Sequence, residues 1–255
     1  MSSLLDSFKL DGRTALVTGA SRGLGRACAE ALAEAGADLV LVATSSCAET
    51  RVRIEALGRR VEVIRADLGE RAAATTLIAT ATRFAGPLDI LVNNAGIIRR
   101  GEFENFSEKD WDDVINVNLN AAFILSQAFV RPLLAGGRPG KIINIASMLS
   151  FQGGVRVASY TAAKSALLGL TRLMANELAA KNINVNAIAP GYMATDNTAA
   201  LRADEKRNRA ILERIPAGRW GAGADLKGAV VFLASPASDY VHGHALAVDG
   251  GWLAR

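Results

Sequence analysis

Short β-branched, apolar runs alternate with alanine-rich helical patterns along nearly the whole chain, and few architectures accommodate that rhythm. The strand candidates are Thr14–Val17, Leu39–Ala43, Val61–Ala66, Ile90–Val92, Lys141–Ile145, Asn184–Ile188 and Ala245–Val248. Several are apolar at successive positions, so both of their faces need cover. Helical stretches lie between them, near Leu24–Ala35, Thr50–Leu57, Arg71–Phe84, Lys109–Leu134, Ser159–Ala180 and Asp225–Ala234. Repeated β-then-α units predict an α/β fold: a doubly wound, seven-stranded parallel sheet with helices on both faces. Half of the 255 residues are hydrophobic, enough for one large core, and no linker or repeat divides residues 1–255. The rhythm breaks between Pro190 and Gly223, in a polar, Arg-rich stretch. An insertion of that size beside the carboxyl ends of the strands reads as a substrate lid at about 190–223.

Charge narrows the partners. Lys and Arg number 29 against 25 Asp and Glu, a net charge of +4, and the basic residues are scattered rather than blocked. That distribution argues against a nucleic-acid partner and suits an anionic cofactor or substrate. Of the two cysteines, Cys28 falls within an apolar helical pattern and Cys47 in a polar loop, where it is incidental. They form neither a disulfide framework nor a metal cluster, so no metal is expected. The start, Met1 to Asp6, lacks the basic segment and long apolar run of a signal peptide. No uninterrupted apolar stretch is long enough to span a bilayer. The expectation is a soluble cytoplasmic protein with no membrane partner.

The first strand candidate runs into Gly19-Ala20-Ser21-Arg22-Gly23-Leu24-Gly25, and a helix follows. In parallel sheets ligands bind at the carboxyl ends of strands, and a helix N-terminus attracts pyrophosphate. Gly19 permits a tight turn, and Gly23 and Gly25 let backbone and helix approach phosphates. The arrangement predicts a Rossmann-type dinucleotide site, a plain strand-to-helix turn being the alternative. An NAD-specific site usually carries an acid at the end of the second strand. Here that end reads Leu41-Val42-Ala43-Thr44-Ser45-Ser46, with no carboxylate to repel a 2′-phosphate. Thr44, Ser45 and Ser46 offer hydroxyls and Arg22 a cation, which favours NADP(H), with NAD(H) as the second option. Asp67 and Leu68 follow the third strand, where adenine would lie. Asn94, Ala95 and Gly96 follow the fourth, along the path of the ribose.

A second constellation lies further on. Tyr160 and Lys164 are four residues apart in a strong helix former, and Ser147 closes the fifth strand. An i, i+4 pair shares one helical face. Tyrosine ordinarily titrates near pH 10, and a neighbouring ammonium favours its phenolate. Lys164 is therefore expected to lower the pKa of Tyr160 and make it a usable acid and base. The Ser147 hydroxyl is placed to bond a reacting oxygen.

With these residues on view, the chain resembles the short-chain dehydrogenase/reductase family over essentially its full length. The matching residues are Thr18 to Gly25, Asn93-Asn94-Ala95-Gly96, Asn118, Ser147, Tyr160-x-x-x-Lys164, Pro190-Gly191 and Asp249-Gly250-Gly251. The resemblance implies a tetrad of Asn118, Ser147, Tyr160 and Lys164. In it Asn118 kinks its helix and holds a water connecting Lys164 to solvent, and Lys164 also bonds the nicotinamide ribose. Residues Ile188 to Thr195, with Pro190, Gly191, Met193 and Thr195 among them, would hold the carboxamide. The family also implies a homotetramer. The helices near Lys109–Leu134 and Ser159–Ala180 would form one interface, and the C-terminal strand and tail another, bringing Trp252 and Arg255 toward a neighbouring subunit's site.

Three segments address the substrate: Ile97-Ile98-Arg99-Arg100, Ser147 to Gly154, and Ile215 to Gly221 together with the C-terminal Gly251 to Arg255. They are similar to the 2-deoxy-D-gluconate 3-dehydrogenase group, also named 2-dehydro-3-deoxy-D-gluconate 5-dehydrogenase, and to the gluconate 5-dehydrogenases. That implies a small anionic sugar-acid substrate, and Arg pairs bidentately with a carboxylate. The candidate substrate contacts are Arg99, Arg100, Ser147, Met148, Gln152, Tyr192 and Trp252. His242 and His244 read as loop or subunit-contact residues. A 3-oxoacyl-carrier-protein reductase, another ketone reductase and a dinucleotide-sensing regulator are the competing readings.

Overall fold

The central strands bury both faces, and the sequence supplies apolar residues for both, while the two edge strands are partly exposed. The computed structural model describes residues 3–255. In chain order it contains β1 (Thr14–Thr18), α1 (Gly23–Glu34), β2 (Asp38–Ala43), α2 (Ala48–Ala56), β3 (Val61–Arg65), α3 (Arg71–Ala85), β4 (Ile90–Asn93), α4 (Glu108–Ile115), α5 (Ala121–Ala135), β5 (Gly140–Ile145), α6 (Ala158–Leu178), β6 (Ile183–Pro190), α7 (Ala199–Ala203), α8 (Glu205–Arg214), α9 (Gly223–Ala234) and β7 (Ala245–Val248). Successive strand side chains point to opposite faces. Ala15, Val17, Leu39 and Leu41 therefore join one core with α1 and α9, while Leu16, Val40 and Val42 join another with α3 and α5. Phe129, Leu125 and Leu133 are fully buried along one side of α5, each contributing about 1.5–3 kcal/mol of apolar burial.

The seven strands form one sheet in the order β3-β2-β1-β4-β5-β6-β7, and every adjacent pair is parallel. Numbering descends on one side of β1 and ascends from β4 on the other. The β1/β4 junction is thus the switch point, where the crossovers diverge and a crevice opens at the carboxyl ends.

Three local readings change. The helix expected over Lys109–Leu134 is α4 and α5 joined by a π turn, Asn116–Asn120, that contains Asn118. The run Glu108–Ala135 is long and apolar enough by composition to cross a bilayer, but its apolar residues Leu125, Phe129 and Leu133 lie in the core. The polar stretch that breaks the alternation, Pro190 to Gly223, holds α7 and α8. Asp204 caps α8 by accepting a hydrogen bond from the Arg207 N–H at 3.0 Å. Little of α8 is apolar, so its period is faint in the sequence. Cys47, placed in a polar loop, is buried because the start of α2 folds back over the α1 core, and burial pushes its thiol up. Cys28 is in the core as expected, its thiol pushed up to about 12.

At the amino ends of the central strands the Asp89 carboxylate accepts from the Thr14 N–H at 3.0 Å and from Arg138 at 2.8 Å, with Arg13 at 3.5 Å. Replacing it leaves the buried Thr14 N–H unpaired and removes the partner of two part-exposed guanidiniums. Asp89→Ala is expected to lower unfolding free energy by about 2–4 kcal/mol, read as a fall in the urea midpoint. An unchanged midpoint would show that solvent satisfies these groups.

Candidate active site

The crevice is a cleft of about 690 Å³ across the carboxyl ends of the strands. Thr18 lies buried beneath it and ties its sides together. The Thr18 hydroxyl accepts from the N–H groups of Asn94 and Ala95, both at 2.9 Å, and the Asn94 amide donates to the Thr18 carbonyl at 2.8 Å. At Gly19, φ is +66°, the left-handed region that favours glycine. A Cβ on Gly25 would run into the Gly19 carbonyl oxygen. The turn is therefore packed to backbone distance, and it leaves the unpaired N–H groups of the first turn of α1 facing the cleft. Ser45 donates to Ser21 at 2.9 Å, tying the end of β2 to this turn. A cradle of this shape fits a dinucleotide phosphate.

Of the residues expected at the cofactor, Gly19, Ser21 to Gly25, Thr44, Ser45, Asp67, Leu68, Asn94, Ala95, Gly96, Tyr160, Lys164, Pro190, Gly191, Met193 and Thr195 line this cleft, and Ser46 does not. Arg22 lies 3.3 Å from Asp196, and both are largely exposed. A 2′-phosphate would compete with that carboxylate for the guanidinium.

The strand end and the helix that carry Ser147, Tyr160 and Lys164 are tied together. The Lys164 amine donates to the Ile145 carbonyl at 2.6 Å, Ser150 donates to the Lys164 carbonyl at 2.7 Å, and Ser165 donates to the Leu149 carbonyl at 3.3 Å. Deeper in the core, the Asn93 amide donates to Asn144 at 2.9 Å and the Asn144 amide to Thr171 at 2.9 Å, bracing β4, β5 and α6. Lys164 is buried, and burial lowers its amine to about 8. Its Nζ lies 5.7 Å from the centre of the Tyr160 ring. Tyr160 is open to the cleft on one side, and protein encloses the rest of it. That desolvation raises its phenol above the ordinary range, while the neighbouring Ser147 hydroxyl and the Arg100 guanidinium pull it down. Lys164 is not among the groups that pull it down, so the lowering expected from the lysine is not seen: burial favours the neutral form of both groups.

Asn118 differs from the other tetrad residues. It is buried behind the cleft wall, where its side chain accepts from the Ile97 N–H at 2.8 Å and donates to the Ile97 carbonyl at 3.0 Å. It is not among the cleft-lining residues. π turns of this kind recur at functional sites.

Among the candidate substrate contacts, Arg100, Ser147, Met148, Gln152, Tyr192 and Trp252 line the cleft and Arg99 does not. Arg99 turns away to Asp110, 3.2 Å distant; its charge was visible in the sequence, its partner was not. Trp252 packs against Tyr192, with ring centres 4.7 Å apart. The sequence reading missed α8, which presents Arg207, Ala210, Ile211 and Arg214 to the cleft. The i, i+3, i+4, i+7 spacing of these residues was the available signal. The Arg214 guanidinium stacks 4.0 Å from the centre of the Trp252 ring and donates to Gln152 at 3.2 Å.

Comparison with known proteins agrees with this geometry. A family model described as Enoyl-(Acyl carrier protein) reductase matches residues 19–253. The 2-dehydro-3-deoxy-D-gluconate 5-dehydrogenase of Escherichia coli (strain K12) is 58% identical over 252 residues, covering 99% of this chain and 100% of that protein. A crystal structure from Agrobacterium tumefaciens with bound NADP, provisionally assigned as a 2-deoxy-D-gluconate 3-dehydrogenase, superposes with a TM-score of 0.93 at 59% identity, covering 98% of this chain and 99% of that one. A gluconate 5-dehydrogenase from Burkholderia cenocepacia J2315, in complex with NADP and tartrate, gives a TM-score of 0.94 at 41% identity, covering 99% and 100%. With its parallel sheet, glycine turn and Ser-Tyr-Lys arrangement, this chain belongs to the short-chain dehydrogenase/reductase family.

Proposed function

We propose that this protein is an NADP(H)-dependent oxidoreductase that interconverts a secondary alcohol and a ketone on a six-carbon sugar acid of the 2-deoxy-D-gluconate or 2-keto-3-deoxygluconate type. The observation that carries this reading is a single cleft holding Ser147, Tyr160 and Lys164 between the glycine turn and a cluster of guanidinium groups. The E. coli relative is named for such an activity, and the Burkholderia neighbour was crystallised with a small hydroxy acid. The 3-oxoacyl-carrier-protein alternative finds its support in a solved reductase of that name from Agrobacterium tumefaciens, 34% identical with a TM-score of 0.91; the polar, Arg-lined end of the cleft favours a small anion instead.

The dinucleotide, when bound, supplies the hydride acceptor or donor. The remaining work falls to the chain. The turn at Gly19–Gly25 and the start of α1 hold the phosphates, and Arg22, Thr44 and Ser45 hold a 2′-phosphate. Ser147 bonds the reacting oxygen. Tyr160 gives a proton to that oxygen during ketone reduction and takes it back during alcohol oxidation. Lys164 sets the charge beside Tyr160, and Asn118 fixes the cleft wall at Ile97. The segment about 190–223, with α7 and α8, forms a lid over the substrate end. Trp111, Phe123 and Leu173 expose apolar surface on the long helices, which supports assembly into a homotetramer.

A panel of C6 sugar acids and their keto forms, followed by NAD(P)H absorbance, tests the reading; silence there with turnover of an acetoacetyl thioester would transfer the protein to acyl reduction. Tyr160→Phe is expected to lower kcat by at least about 100-fold while leaving NADPH affinity within about two-fold, measured by turnover and by fluorescence titration. Lys164→Met separates activity from stability. A lysine with a folded value of about 8 rather than 10.5 penalises the folded state below pH 8, where folded and unfolded chains both hold the proton. The penalty vanishes as pH rises through that interval, because the folded chain has already released its proton. Lys164→Met should therefore abolish turnover yet raise unfolding free energy at pH 7 by about 1–3 kcal/mol, with the gain fading by pH 10 in urea titrations. Thr44→Asp sets a carboxylate at the end of β2 and should move the NADPH:NADH ratio of kcat/KM at least about ten-fold toward NADH; an unchanged ratio would place the 2′-phosphate elsewhere.

A further inference from the structure

Guanidinium groups outnumber carboxylates in the cleft, and they differ in how firmly they are held. Arg22 faces Asp196. Arg100, Arg207 and Arg214 line the cleft without a carboxylate at ion-pair distance among the described residues. Arg100 donates to the Asn197 carbonyl at 3.3 Å, whereas Arg214 is fixed on two sides. Its plane lies over Trp252, 4.0 Å from the ring centre, and one N–H donates to the Gln152 side-chain oxygen at 3.2 Å. Trp252 is itself buried among Met148, Ile211 and Ile215, with Tyr192 edge-on to it.

We infer that Arg214 is the specificity-determining residue that binds the substrate carboxylate, with Gln152 and Trp252 as the positioning residues that aim it. This deepens the sugar-acid reading and rests on it. A guanidinium offers two parallel N–H donors that match a carboxylate, and one already stacked and bonded loses little freedom when it binds. Arg214 retains donors beyond the one given to Gln152. Its place along the chain also suits the task. Gln152 follows Ser147 by five residues, and its N–H closes the intervening turn on the Met148 carbonyl at 3.3 Å. The group that steadies the reacting oxygen and the group that aims Arg214 thus sit at the two ends of one short turn. A molecule with a hydroxyl or ketone near Ser147 and a carboxylate further along the cleft meets both. Gln152, which the sequence suggested as a reader of hydroxyls, acts here through Arg214.

The test compares an acid with its neutral counterpart. D-Gluconate and D-gluconamide differ in the carboxylate alone, and Arg214→Met keeps an apolar stem against Trp252 while removing the fork. In Arg214→Met, KM for gluconate should rise about 10- to 100-fold, with kcat and the gluconamide parameters nearly unchanged; Arg214→Lys should recover part of the loss. Arg99→Met, outside the cleft, should leave KM for gluconate as in the wild type. Tartrate binding supplies a readout independent of turnover: with NADP present, tartrate should alter the tryptophan fluorescence of the wild type, and Arg214→Met should weaken that response. An unchanged gluconate KM, or equal losses on gluconate and gluconamide, overturns the inference while leaving the sugar-acid reading intact. If the wild type turns over no sugar acid, that reading fails, and loss of the tartrate response in Arg214→Met would still uphold carboxylate binding at this residue. A tartrate response that survives Arg214→Met overturns it.

Discussion

Thr18 holds the cleft together. It stands at the end of β1, buried, where the crossovers diverge and neighbouring strands would otherwise part. By bonding the N–H groups that follow β4, it fixes the spacing between the glycine turn and the Asn94–Gly96 segment. A parallel sheet covered on both faces leaves its strand ends as the place where side chains meet solvent and ligand. The remaining parts of the site are arranged around that junction: β5 delivers Ser147, α6 delivers Tyr160 and Lys164, and β6 leads into the segment that bears α8.

The electrostatics of the site follow from burial more than from pairing. The helix spacing that brings Tyr160 and Lys164 to one face suggests a cation tuning a phenol. In the folded protein the amine is spent on the Ile145 carbonyl, and enclosure favours the uncharged form of both groups. Tyr160 thus holds its proton at neutral pH, and the amine titrates within reach of physiological pH. A buried lysine of this kind is costly to stability, a cost that the proposed chemistry accounts for and packing does not.

Arginine shows how little a charged residue's type says about its task. Arg99 and Arg100 are adjacent in the chain, yet one pairs with Asp110 and the other lines the cleft. Arg219, near the end of the polar segment, is held bidentately by Asp225. Arg214 has an aromatic ring beneath it and an amide beside it. The difference lies in what each guanidinium finds across space.

Much of this was legible in the amino-acid order. The strands fall where β-branched runs predicted them, because a strand buried on both faces needs an unbroken apolar run, and that is a local property. The glycine turn and the Ser147, Tyr160 and Lys164 spacing were legible for a similar reason, since a helical period or a strand-to-helix turn fixes which neighbours share a face. The faint apolar period of α8, the π turn at Asn118, the burial of Cys47 and the pairing of Arg99 were not, because each depends on groups distant in the chain. The sequence by itself determined the architecture, the glycine turn and the Ser147, Tyr160 and Lys164 set, but not the arginines that α8 adds to the cleft. Only the tertiary structure decided which charges remain free to meet a ligand and which are already paired, because a guanidinium's partner is set by the packing of separate elements and not by its neighbours in the chain.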